Sequence, residues 1–84
     1  MTKENVDTLI GALQSRFAAQ VEVEPVNSGG RFRFGITSPQ FAVMGQLERQ
    51  DAVWAVVDQV LPREATIDIS LILTYAPNEL AVTE

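Results

Sequence analysis

"RFRFGITSPQF", residues 31–41, sets Arg31 and Arg33 between Phe32 and Phe34. Two readings compete for it. Basic residues interleaved with aromatics suit a nucleic-acid platform, where bases stack on rings carried by an open face. The same alternation describes a β-strand with Phe32, Phe34 and Ile36 facing inward and Arg31, Arg33 and Thr37 facing water. The preceding residues favour the strand. In "QVEVEPV", residues 20–26, Val21 and Val23 alternate with Glu22 and Glu24, and "NSGG", residues 27–30, is a turn. The two runs form a hairpin that sets Glu22 and Glu24 near Arg31 and Arg33. Cross-strand ion pairs of this kind contribute roughly 0.2–1 kcal/mol each. Pro25 cannot donate to a ladder, so the first run is an edge strand.

Outward from the hairpin, the pattern changes period. Val6, Leu9, Ile10, Leu13 and Phe17 follow the i, i+3, i+4, i+7 rule, which predicts an amphipathic helix over roughly 4–19. After the second strand, Ser38 can cap and Pro39 suits a first helical position. "FAVMGQLERQDAVWAVVDQVL", residues 41–61, is largely helical, with a break expected near 44–49 at Gly45 and the polar run after it. Val53, Trp54, Val57, Val60 and Leu61 give the buried stripe, and Trp54 is expected in the core. Pro62 ends the helix. In "ATIDISLILTY", residues 65–75, strict alternation puts Ile67, Ile69, Leu71, Leu73 and Tyr75 on one face of a third strand. The last nine residues, "APNELAVTE", form a tail or a single helical turn.

The order is helix, strand, strand, helix with a break, strand. Strands joined through a helix lie parallel. The fold class is α+β, α-β-β-α(α)-β, a three-stranded mixed sheet with helices on one face, in a single domain over residues 1–84. With 84 residues, such a domain buries only about 60–65% of its unfolded surface. The 46% hydrophobic content still supplies one core.

Composition removes several function classes. There is no cysteine and no histidine, so disulfides, thiolate chemistry, the commonest general base and the commonest metal ligand are excluded. The net charge of −5 disfavours polyphosphate partners. No apolar run reaches signal-peptide or membrane-span length, which makes a cytoplasmic protein the expectation. Glu22 with Glu24, and Glu48 with Asp51, read as solvated faces rather than acid–base pairs. "NSGG" leads into a strand and so lacks the helix terminus that supports a phosphate cradle. No Walker or dinucleotide-binding glycine spacing occurs. No enzyme is expected, and neither a metal nor a cofactor.

The order of elements is that of class II KH-type domains, whose GxxG loop clamps a nucleic-acid backbone. Here the corresponding "VMGQLERQD", residues 43–51, has one glycine, and Arg49 is offset by Glu48 and Asp51. From Gly30 onward the chain more closely resembles the BolA family. "GRFRFGITSPQF" matches that family's strand motif through Phe32, Ser38 and Phe41. "ERQDAVWAVVDQVL" matches its helix, with Arg49 at the first position of an Arg-His-Arg motif, Val53 as its aliphatic and Trp54 in place of Tyr. "TYAPNEL" keeps Thr74, Tyr75, Pro77 and Glu79 of its closing motif, with Leu80 replacing a Trp.

The resemblance implies a class II KH-like/BolA-like fold and, in the family, a histidine on the last strand that ligates an iron–sulfur cluster shared with a monothiol glutaredoxin. This chain departs there. The closing motif aligned without gaps puts Asp68 at that position. Alternation puts Ile67 there, and that alignment is preferred because a one-residue slip would turn the core face to water. Neither supplies an imidazole. A second family ligand position falls on Arg31 or a glycine, and Arg-His-Arg has become Arg49, Gln50, Asp51.

The expected function is a non-enzymatic protein-interaction or regulatory module that binds a monothiol glutaredoxin-like partner without supplying a cluster ligand. Its expected surface is Glu48, Arg49, Gln50 and Asp51 with Asp68, Tyr75, Pro77 and Leu80. The alternative is a nucleic-acid-binding transcriptional regulator that uses the helix-turn-helix-like segment 41–61, with Arg31, Arg33 and Arg49 on phosphates. The low positive charge ranks it second. A homodimer through the exposed sheet face or edge is a third possibility.

Overall fold

The computed structural model describes residues 1–26 and 30–81, apart from the side chains of Leu80 and Ala81. The elements are α1 (Lys3–Phe17), β1 (Gln20–Val26), β2 (Arg31–Thr37), a short 3-10 helix (Pro39–Val43), α2 (Gln46–Val60), α3 (Arg63–Thr66), β3 (Ile69–Tyr75) and α4 (Pro77–Ala81). The order of strands read from the sequence holds, as do the break before α2 and the turn of helix after β3. α3 is not among the expected elements; it takes Ala65 and Thr66 out of the third strand, which starts at Ile69 and leaves Ile67 outside it and exposed. The expected "NSGG" turn falls mostly on 27–29, outside the described residues.

Local chemistry fixes the ends. Thr2 caps α1, its hydroxyl accepting from the Asn5 amide at 3.1 Å. The helix stops at Ala18, which adopts the left-handed conformation with φ 51° and turns the chain toward β1. Glu48 reaches back to accept from the Gly45 amide at 2.9 Å, the returning half of a capping box at the start of α2.

The sheet order is β1-β2-β3. β1 runs antiparallel to β2, and β2 parallel to β3. Phe34 and Ile36 have no exposed surface, and Phe32 is half-buried beside them. They pack with Leu9, Leu13 and Phe17 of α1 and Val53, Val56 and Val57 of α2 in one core. Arg31 and Arg33 are exposed on the other face, as the strand reading requires. Arg33 stands opposite Glu24 and pairs with it. Glu22 stands opposite Gly35 and Arg31 opposite Val26, so only one of the expected cross-strand ion pairs forms.

Two expectations are corrected. Phe32 pairs with Ile69 but Arg33 pairs with Leu71, so Ser70 is an extra residue in β3. This bulge reverses the phase of everything after it. Ile69, Ile72 and Thr74 are buried on the core face. Leu71, Leu73 and Tyr75 lie on the open face with Arg33, Gly35 and Thr37. Alternation therefore fails within the strand, and with it the basis for preferring Ile67 over Asp68. The second correction concerns α2, whose buried residues are Arg49, Val53, Val56 and Val57. Trp54 is half-buried at the rim of that stripe rather than inside it.

Candidate functional site

The densest polar arrangement ties the start of α2 to the end of β3. Arg49 is 4% exposed. Its guanidinium grips the Glu79 carboxylate with two hydrogen bonds, of 2.9 and 2.8 Å. It also donates to the carbonyls of Met44 (3.1 Å) and Thr74 (3.4 Å). The guanidinium carbon lies 5.8 Å from the centre of the Phe41 ring, which in turn packs at 5.3 Å against Phe17. Glu79 further accepts from the Ala76 amide at 3.0 Å, closing the first turn of α4. Hydrogen bonding from Arg49, then from the Ala76 amide, holds the Glu79 carboxyl down at about 2. The same bond raises Arg49 above its ordinary value.

Gln50 extends this seam, its amide donating to the Ile72 carbonyl at 3.0 Å. The Tyr75 carbonyl takes the Ser38 amide and so points toward β2. By strand alternation, the carbonyls of Ile72 and Thr74 point away from β2, along the outer edge of β3. Side chains of α2 therefore cap that edge. Ser38, fully buried, fastens the opposite seam. Its hydroxyl donates to the Phe17 carbonyl at 2.6 Å and accepts from the Gln40 amide at 3.1 Å.

The residues expected to form one surface do not lie together. Glu48, Asp51 and Pro77 are exposed around the α2 start and α4. Arg49 is interior, with its donors engaged, and belongs to the fold rather than to a contact surface. Asp68 sits before β3, its carboxylate meeting the Met1 amino group and its carbonyl accepting from the Phe32 amide. Tyr75 stands seven positions further on, at the far end of β3, a span of roughly 20 Å. Tyr75 lies on the open sheet face, and the side chain of Leu80 lies outside the described residues. The nucleic-acid alternative is weakened likewise. Arg49 is buried, and Arg33 is bonded to Glu24, which raises the Arg33 pKa.

Two features escaped sequence reasoning. Val43 and Leu47 are 89% and 74% exposed, on either side of Gly45 and next to Glu48. Val43 ends the 3-10 helix, and Leu47 lies in the first turn of α2 off the buried face of Arg49, Val53, Val56 and Val57. The other is that Leu73 and Tyr75 share the open face with Gly35, which follows from the bulge at Ser70. Among the described residues, no group of three or more His, Cys, Asp or Glu side chains is placed to hold a metal ion. No helix among them is long and apolar enough to cross a membrane.

No protein-family model matches the sequence, and no curated protein matches it. Solved structures do match. BolA1 from Arabidopsis thaliana superposes with a TM-score of 0.71 at 17% identity, over 93% of this chain and 98% of that one. The BolA domain of SufE1 from the same plant gives 0.67 at 18%, over 94% and 98%. A bol-like protein from Babesia bovis gives 0.61 at 22%, over 99% and 93%. The resemblance carried by the short motifs thus extends through three dimensions, and the chain has a BolA-like fold over nearly its whole length.

Proposed function

We propose that this chain is a non-enzymatic BolA-like interaction and regulatory module of the cytoplasm that docks a monothiol glutaredoxin-like partner without giving a ligand to its cluster. The exposure of Val43 and Leu47 carries the reading. Two large apolar side chains in water, rimmed by Glu48 and Asp51, mark a contact surface more readily than a solvated turn. The Arg49–Glu79 bonds hold the adjoining backbone in place, so little order has to be gained on binding.

The chain's own donor set does not fit the family's cluster. Ile67 has no donor atom. Asp68 offers only hard oxygen, already engaged with an ammonium group, where iron–sulfur clusters take thiolate or imidazole. A partner's cluster would keep its own ligands while this protein sits beside it.

The test is titration of a cluster-loaded monothiol glutaredoxin with this protein, followed by calorimetry and visible circular dichroism. Binding with an unchanged cluster spectrum, weakened ten-fold or more by Leu47→Asp, is the expected result. A new heterodimer spectrum that disappears with Asp68→Ala would overturn the ligand statement. Absence of binding would overturn the partner.

A further inference from the structure

Gly35 occupies the middle of the central strand, where nothing in the fold requires glycine. Its φ is not positive; among the described glycines only Gly30, at φ 72°, has that need. A Cβ built at Gly35 meets no atom within 4 Å. Glycine inside a strand weakens it, and such a position often marks a close approach by another molecule. Here the missing side chain opens a groove of about 180 Å³ lined by Glu22, Glu24, Arg33, Gly35, Leu73 and Tyr75. That volume is below the roughly 300–1,000 Å³ of small-molecule sites, so the groove has room for one long side chain rather than a metabolite.

The walls select its chemistry. Across the row, Glu22 stands on one side of Gly35 and Leu73 on the other, with Tyr75 one step further along β3. Arg33 is already paired with Glu24. Glu22 has no cationic partner among the described residues, and the chain as a whole carries −5. An uncompensated carboxylate beside an aromatic ring and an aliphatic wall complements a guanidinium. That group is planar, stacks on rings, bonds carboxylates in pairs and is more weakly hydrated than an ammonium.

We propose that the open sheet face docks a protein segment that inserts an arginine side chain over Gly35, its guanidinium on Glu22 and its flat face and stem against Tyr75 and Leu73. This surface is separate from the Val43–Leu47 turn and does not depend on the glutaredoxin reading.

The experiment follows backbone amide shifts of the isotope-labelled protein during titration with N-acetyl-arginine amide and with its neutral isostere N-acetyl-citrulline amide. The arginine probe should give saturable shifts centred on Glu22, Gly35, Leu73 and Tyr75. Citrulline, or Glu22→Gln with the arginine probe, should bind at least ten-fold more weakly. Gly35→Val should abolish the response while raising the melting temperature, because valine loses less backbone freedom on folding than glycine and its Cβ meets no atom within 4 Å. Equal response to both probes, shifts elsewhere or no saturable response would overturn the proposal. So would a lowered melting temperature in Gly35→Val, which would show that the fold itself demands the glycine. Concentration-dependent shifts of the same residues without probe would make a second copy of the chain the occupant.

Discussion

Replacing Arg49 by methionine removes the guanidinium while keeping a flexible apolar side chain of similar length in the helix. Three sets of acceptors lose their donor: the Glu79 carboxylate, the Thr74 carbonyl and the Met44 carbonyl. The Thr74 bond is buried and at 3.4 Å is the weakest of them. A buried acceptor left unsatisfied costs about 1–3 kcal/mol, and the more exposed Met44 carbonyl less because water replaces the bond. The Glu79 pair adds little to this sum, since the carboxylate side is 38% exposed and rehydrates when freed. The expected loss for Arg49→Met is therefore about 2–3 kcal/mol. A domain of 84 residues has only about 4–12 kcal/mol in total, so the loss is large. Urea denaturation followed by far-ultraviolet circular dichroism measures it as a lower midpoint at unchanged slope. A midpoint within error of the parent would refute the claim that Arg49 is interior. It would return that residue to the exposed surface that the sequence alone assigns it.

Three further outcomes are expected. Glu79 has a folded pKa near 2 against an ordinary 4.5, so its contribution is present above about pH 4.5 and is lost as pH falls toward 2; the melting temperature of the parent should drop more steeply across that window than that of Glu79→Gln, and equal slopes would contradict the ion pair. Trp54→Ala should cost about 1.5–2.5 kcal/mol in the same denaturation assay, roughly half the loss for a fully buried indole, and a loss above 4 would put the ring back in the core. Ser38→Ala leaves the Phe17 carbonyl and the Gln40 amide without their partner and should cost about 1–3 kcal/mol, with a null effect in thermal melts showing that water fills the seam.

Much of the fold was legible because its signals are local. Period-two runs at residues 20–26 and 31–37 mark two strands, and Pro25 marks an edge. Ser38–Pro39 opens a helical turn, and a helix between two strands makes them parallel. The failures are non-local. The extra residue in β3 is a serine in "DISLILTY", with no glycine or proline to mark a bulge, and only pairing with β2 shows that Ile69 and Leu71 fall on opposite faces. Arg49, in the first turn of α2 beside Glu48 and Asp51, has the sequence context of a solvated charge. Its burial depends on Glu79, thirty residues away, which no window of the chain brings near it. Trp54 shows a smaller error of the same kind, since its stripe and the neighbouring stripe through Val56 are both apolar, and only packing against α1 and β3 chooses between them.

The same bulge links the fold to its surfaces. A three-stranded sheet has two edges and one uncovered face, and unpaired edges invite strand addition. Here both edges are guarded. Pro25 removes a donor from β1, and Gln50 and Arg49 occupy the outward carbonyls of Ile72 and Thr74 on β3. Had β3 continued without Ser70 as an extra residue, Leu71, Leu73 and Tyr75 would face the helices and Ile72 and Thr74 the solvent. The open face would then carry little apolar surface, and the outward carbonyls would shift to residues that Arg49 and Gln50 do not reach. One inserted residue therefore aligns the edge for capping from α2 and places Leu73 and Tyr75 beside the gap at Gly35. What the fold leaves uncovered is apolar surface away from those edges, on the sheet's face at Leu71 and at the turn of Val43 and Leu47.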